Sequence, residues 1–400
     1  MQTRWDGPQG HTLANPGVGE LLQLMLDGVP RTRAELIKLT GLGRSTIGAR
    51  VDSLLAVGLL VPSGEAMSTG GRPPATLAFN PDAGVVVAAD LGATHALVTV
   101  TNLRGRVLSE NQITIDVTAG PELVLDHVAA EVQGLLRRAG RSLEALAGIG
   151  IGLPGPVEHS TGRPVRPPIM PGWHDYDVPG HLEATIGRPV LVDNDVNLMA
   201  LGENATIYPH VTHLIYVKVA TGIGSGIISN GTLNRGALGC AGDLGHVAAP
   251  HGRDVTCTCG NVGCLEALAS GPAIIEQLRA RGIDLADTME LAARVRRGDP
   301  EVTAAIRDAG REIGRVLATA VSLLNPSVIV VGGVLAQTSE HLLAGIREIV
   351  YGRSLPLATG ELQIVASQTG AHAGVIGAAT MVSQHVLAGG GIRRPRSLAG

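Results

Sequence analysis

The chain has 400 residues, of which 44% are hydrophobic and 16% charged, the balance of a soluble globular protein with room for two or three domains. Its formal net charge of -4 excludes a molecule that binds polyanions over its whole surface, so any nucleic-acid contact has to come from a local basic patch. No apolar run approaches the roughly 20 residues that span a bilayer, and Met1–Gly10 lacks the apolar centre of a signal peptide. The chain is therefore expected in a reducing cytoplasm, without a membrane partner.

Residues 1–16 are polar, carry Gly and Pro, and are expected to form a flexible N-terminus. Leu21, Leu22, Leu24, Met25 and Leu26 then form an apolar helix stopped by Asp27-Gly28. Thr32 and Glu35 have the spacing of a capping box, which opens a short helix ending at Gly41. A third helix follows from Arg44 with Ile47, Val51, Leu54 and Leu55 on one face, closed by Gly58. Leu59 to Phe79 reads as two strands around a polar loop, Ser63 to Pro74. Residues 17–80 thus have the parts of a winged helix-turn-helix domain, and a linker at Asn80-Pro81-Asp82 ends it.

In that arrangement the third helix enters the major groove with Arg44, Ser45, Thr46, Ala49 and Arg50, side chains that are small or cationic. Between Arg31 and Arg72, six Lys/Arg face three acids, a local excess of three positive charges in a negative chain. Arg72, between Gly71 and Pro73, sits on a narrow segment able to enter a minor groove. Arg44, Ser45, Thr46, Arg50 and Arg72 are the candidate DNA contacts. The same three helices could instead serve a small protein-interaction module.

Beyond the linker the character changes to α/β. Strands are expected at Gly84 to Leu91, Ala96 to Val100, Val107 to Ile115, Leu146 to Leu153 and Pro189 to Val192. An amphipathic helix is expected from Pro121 to Ala139 and another helix from Val196. His213 to Val219 opens a second β-rich lobe. Helices are expected at 266–282, 285–297 and 300–324, a strand at Ser327 to Val331 and a last helix at Val375 to Val386. The first lobe is placed at 84–200, completed by 375–388, and the second at 201–374. The Gly- and Arg-rich tail 389–400 is expected to be disordered.

Several strands end in Gly-rich turns. Asp90-Leu91-Gly92-Ala93-Thr94 offers an acid, backbone amides and a hydroxyl to a metal-nucleotide phosphate. Thr221, Gly222 and Gly224 form a second such turn, and Gly332-Gly333 follows a third strand. A Gly after a strand is by itself only a turn, but two such turns, each opening a lobe, suggest a two-lobed actin-like nucleotide fold, with ATP and Mg as its cofactor. Between the lobes, Asp193-Asn194-Asp195-Val196-Asn197 holds a carboxylate able to take a proton from a sugar hydroxyl. The same residues are good helix N-caps.

The strongest chemical signal is Gly242-Asp243-Leu244-Gly245-His246 followed by Cys257, Cys259 and Cys264. Three thiolates and an imidazole make a closed tetrahedral site, which points to a structural zinc. Cys240 is left over, as a small buried residue or a bystander.

These motifs, with Gly202-Glu203 and Leu265-Glu266-Ala267-Leu268-Ala269-Ser270, resemble the ROK family (repressors, open reading frames and kinases) from about Gly17 to Val386. The resemblance implies an α/β chain with a two-lobed actin-like (hexokinase/ASKHA) sugar-kinase fold preceded by the winged helix-turn-helix. It implies sugar contacts from Asn194, Asp195, Asp243, His246 and Glu266, with Asp195 as catalytic base in a kinase. It also implies zinc on His246, Cys257, Cys259 and Cys264. Members with such a head are sugar-responsive regulators, mostly repressors of carbohydrate-utilisation genes, and work as homodimers or homotetramers on operator DNA. Family kinases usually carry Glu where this chain has Asp243, a side chain one methylene shorter. The phosphate turns and Asp195 are kept, so an active ATP-dependent sugar kinase carrying a DNA-binding head is the alternative, and a scaffold acting through protein contacts is a third.

Overall fold

The computed structural model describes residues 17–65, 74–252, 254–336 and 340–388. The expected flexible N-terminus (1–16), the expected disordered tail (389–400) and Arg72 lie outside the described residues.

The head begins with helix Val18–Gln23, which buries Val18, Leu21 and Leu22. It is shorter than its apolar run, because the amides of Met25 and Leu26 bond only three residues back, to Leu22 and Gln23, tightening the last turn. The capping box forms: Thr32 Oγ1 accepts from the Glu35 amide at 3.2 Å and Glu35 Oε2 from the Thr32 amide at 2.7 Å. It starts helix Arg33–Thr40, which Gly41 ends in the left-handed conformation at φ 69°, where glycine has no Cβ to strain. Helix Arg44–Ala56 buries Ile47, Val51 and Leu54. Strands Leu60–Glu65 and Ala75–Phe79 pair antiparallel, and Arg31–Thr32 adds a third strand to them.

The body holds two five-stranded sheets of matching order. In the first, Val190–Asn194, Leu146–Leu153, Val85–Leu91, His95–Asn102 and Val107–Thr114 lie side by side. In the second, Gln363–Ala366, Val328–Gly332, Leu214–Val219, Ile223–Ser229 and Thr232–Asn234 repeat that arrangement. In each sheet the central strand turns through a hairpin into its antiparallel neighbour and pairs parallel with the strand on its other side.

Alternation along the central strands decides the layers. Val85, Val87 and Ala89 pack under helices Pro121–Arg138 and Val178–Ile186. Val86 and Ala88 face the other way, toward helices Asp195–Thr206 and Ala373–Leu387. Ile215, Val217 and Val219 pack with helices Gly271–Arg279, Thr288–Arg296, Pro300–Leu324 and Glu340–Arg353, while Leu214 and Tyr216 meet Val196, Ala200 and Ala373. Helices Asp195–Thr206 and Ala373–Leu387 therefore lie between the two sheets.

Those two helices cross at glycines. A Cβ on Gly377 would stand 1.8 Å from the Leu198 carbonyl oxygen, and one on Gly202 would stand 2.2 Å from that of Ala373. The head continues the same core: Leu21, Met25 and Leu54 share a buried cluster with Val86, Val375 and Val382. A Cβ on Gly19 would stand 2.8 Å from the Ala388 carbonyl oxygen.

The helix expected over 266–282 is broken into Glu266–Ala269 and Gly271–Arg279. Pro272 cannot donate to a continuing ladder, and Ser270 is extended at ψ 165°. The Gly271 amide goes instead to the Ala220 carbonyl at 2.8 Å. Among the described residues no helix is long and apolar enough to cross a membrane.

Candidate functional site

The site is built around the bare strand residue Gly152. It pairs with Asp90 on one side and Asp193 on the other, so three strand ends converge at a residue with no side chain of its own. A Cβ on Gly152 would stand 3.0 Å from Asp90 Oδ1 and 3.6 Å from the Asp195 Cα.

Asn194 caps helix Asp195–Thr206. Its Oδ1 accepts from the Val196 and Asn197 amides at 2.9 and 3.2 Å, and its Nδ2 donates to the Gly155 carbonyl at 2.9 Å. Asp195 is 3% exposed. Its Oδ1 accepts from the Val196 amide at 2.8 Å and its Oδ2 from Lys218 Nζ at 2.5 Å. Lys218 comes from the central strand of the second sheet, so this ion pair joins the two lobes.

Burial pushes the Asp90 carboxyl up to about 7; the Asp195 carboxylate pushes it the same way, and Lys218 opposes them. Burial pulls Lys218 down, but the Asp195 and Asp90 carboxylates outweigh it and hold the ammonium above the ordinary lysine range.

Asp193, 1% exposed, anchors a second network. Its Oδ2 takes Arg235 Nε at 2.6 Å and faces His159 Nδ1 at 3.5 Å; its Oδ1 takes Asn197 Nδ2 at 2.9 Å. Burial and the Arg235 charge hold His159 below the ordinary histidine range. Sequence reasoning passed over Lys218, Arg235 and His159 as site residues. Only Lys218 carried a signal: the chain has two lysines, and this one interrupts an apolar strand.

The two Gly-rich turns occupy equivalent places, each joining a central strand to its antiparallel partner. In the first, the Gly92 amide bonds the His95 carbonyl at 2.8 Å and Thr94 is exposed. In the second, the Ala220 amide bonds the Gly222 carbonyl at 3.0 Å and Thr221 is exposed. Gly224 lies within the following strand against Val196. Gly332 ends its strand against the Tyr216 ring, and Gly333, at φ 87°, lies over Val219.

Glu266 ties the second turn to the cysteine-rich segment. Its Oε2 accepts the Ile223 amide at 2.9 Å and lies beside Gly222 and Gly245. Asp243 is exposed ahead of the short helical turn Leu244–His246. His246, Cys257, Cys259 and Cys264 bring their ligand atoms within 4.8 Å of one another, a group that could hold a metal ion. Cys240 is exposed and outside the group.

In the head, Arg44, Ser45, Thr46 and Ala49 are exposed on the first turns of helix Arg44–Ala56, opposite its buried face. Arg50 turns inward. It meets Glu20 at 3.7 Å and lies so close over Gly17 that an added Cβ would stand 2.0 Å from its Nη2. Arg33 bridges to Asp52 at 2.7 Å, fixing one head helix against the next.

Comparison with known proteins gives consistent matches. The profile of the ROK family matches residues 86–385. The chain is 29% identical over 381 residues to the xylose repressor of Caldicellulosiruptor bescii, covering 92% of this chain and 95% of that protein. The crystal structure of a ROK family transcriptional regulator, a homologue of the E. coli Mlc protein, superposes with a TM-score of 0.81 at 27% identity, over 94% of this chain and 97% of that one. A ROK family glucokinase from Streptomyces griseus, solved with glucose and AMPPNP, reaches a TM-score of 0.65 at 30% identity, over 74% of this chain and 99% of its own.

Proposed function

This chain belongs to the ROK family, and from that premise we propose that it is a sugar-responsive, DNA-binding transcriptional regulator, a repressor of carbohydrate-utilisation genes in the cytoplasm. One observation carries the reading: similarity to a xylose repressor runs through the head as well as the body, whereas the glucokinase covers only 74% of the chain. Arg44, Ser45 and Thr46 read base edges, and Arg50 holds the first helix against the reading helix.

The sugar binds at the start of helix Asp195–Thr206, on Asn194 and Asp195, with His246, Asp243 and Glu266 from the other lobe. Coupling to the head needs few parts. The sugar-bearing helix crosses helix Ala373–Leu387 at Gly202 and Gly377, where backbones touch, and that helix shares its core with the head. A shift of one helix cannot be absorbed by side-chain rearrangement at such a crossing. Operator DNA, a homodimer or homotetramer, and a sugar or sugar phosphate are the partners.

The metal on the His246 quartet is zinc. A zinc–sulfur bond of about 2.3 Å in a tetrahedral site puts two sulfurs roughly 3.7 to 3.8 Å apart, and Cys259 Sγ and Cys264 Sγ are 3.7 Å apart. Bound zinc would fold the segment that carries His246, and so link metal to sugar affinity.

A kinase with a DNA-binding head is the second reading, favoured by the retention of both hairpin turns. Selection of DNA fragments from the source genome, followed by competition with a panel starting from xylose, tests the first reading. Fragments released by one sugar support it. Binding indifferent to every sugar, together with ATP-dependent turnover of one of them, supports the second.

A further inference from the structure

The kinase-like cleft contains a cation of its own. Lys218 Nζ lies 2.5 Å from Asp195 Oδ2, and the other Asp195 oxygen is held by the Val196 amide. A general base needs a free lone pair within hydrogen-bond reach of the hydroxyl proton it removes. Here Lys218 faces one Asp195 oxygen and a backbone amide the other, and each oxygen keeps a second lone pair able to accept from a sugar hydroxyl.

Asp90, the acid of the first phosphate turn, lies across Gly152 from Asp195, and both carboxylates act on Lys218. Two carboxylates at a strand end and a helix start would receive the divalent ion of a metal-nucleotide. With Lys218 on Asp195, a divalent ion would meet one positive charge already seated on that carboxylate.

We propose that Lys218 is a resident cation that stands on Asp195 where the divalent ion of a metal-nucleotide would sit, so that the site binds sugar without transferring phosphate to it. This rests on the reading of the cleft as the sugar site. The residues present do not fit a magnesium-nucleotide, although the turns that would border one are intact. Lys218 also ties the second lobe's central strand to the start of the sugar-bearing helix, so the contact that silences phosphate transfer joins the lobes on which the sugar acts.

The test is Mn2+ binding to the full chain at pH 8, followed by paramagnetic resonance with and without AMPPNP, in the wild type, Lys218→Met and Lys218→Arg. Lys218→Met keeps the length and removes the charge, and should bind Mn2+ with AMPPNP about tenfold tighter or more. Lys218→Arg keeps the charge and should match the wild type, which separates a lost cation from a disturbed fold. Equal Mn2+ binding in all three would overturn the proposal. So would ATP-dependent sugar phosphorylation by the wild type that Asp195→Asn abolishes. Calorimetric titration of the wild type with the sugar panel is scored separately. A panel that binds nowhere defeats the sugar reading of the cleft, whereas the Mn2+ result decides the role of Lys218.

Discussion

Arg235, beyond the second lobe's last hairpin strand, donates its Nε at 2.6 Å to Asp193, whose side chain is 1% exposed in the first lobe. The pair pins one lobe to the other beside helix Asp195–Thr206. Removing one partner of a buried pair leaves an uncompensated charge and costs about 3 to 5 kcal/mol. The lower end applies here, because the Arg235 side chain keeps 23% exposure. Arg235→Ala should therefore lower the urea midpoint, and Asp193→Asn added to it should recover part of the loss. An unchanged midpoint would contradict the pin.

Asp90 makes stability depend on pH. Its carboxyl moves from 3.8 to about 7, so the folded state holds the proton that the unfolded chain releases. The stabilisation is fully present below about 4 and is lost as pH rises toward about 7, worth up to about 4 kcal/mol. Asp90→Asn should be more stable than the wild type at pH 8 and nearly equal to it near pH 4. Chemical unfolding at both pH values checks this; parallel curves would contradict it.

Arg44 and Arg50 should fail in different ways. Arg44 is exposed on the first turn of helix Arg44–Ala56, so Arg44→Ala should weaken DNA binding and relax its sequence preference with no change in melting temperature. Arg50 is folded over Gly17 and Glu20, so Arg50→Ala should lower the melting temperature and reduce DNA affinity through the loosened first helix. Binding to the selected fragment and to scrambled DNA, with thermal scans of both variants, distinguishes the roles.

Cys259→Ser should lose about one bound metal per chain by elemental analysis, and sugar affinity should fall with it by about tenfold or more. His246, Cys257 and Cys264 remain but leave the fourth position to water, which weakens the site. Metal loss without any fall in affinity would separate the cysteine segment from the sugar site.

Features held in short stretches were legible in the sequence. The Thr32–Glu35 capping box, the buried face of helix Arg44–Ala56 and the strand Val85–Leu91 that carries Asp90 follow from spacing and alternation alone. The metal group, spread over His246 to Cys264, is also nearly local. What escaped depends on distant partners: Lys218 reaches Asp195 across 23 residues and Arg235 reaches Asp193 across 42. Local pattern carries no record of such pairings. Arg50 looked like a DNA contact because its neighbours on the helix are small, yet its direction depends on Gly17 and Glu20. Strand Gln363–Ala366 and helix Glu340–Arg353 were likewise missed, since the strand is only four residues long and its place is decided by pairing with Val328–Gly332.

Under the proposed function, a sugar on Asp195 sets the affinity of the head for DNA. The most direct measurement is fluorescence anisotropy on a selected operator fragment, titrated with the sugar that binds the wild type, for the wild type and Asp195→Asn. The sugar should release the wild type, while Asp195→Asn should bind the fragment equally well and stay on it. Release of both proteins at the same sugar concentration, or of neither, would contradict it.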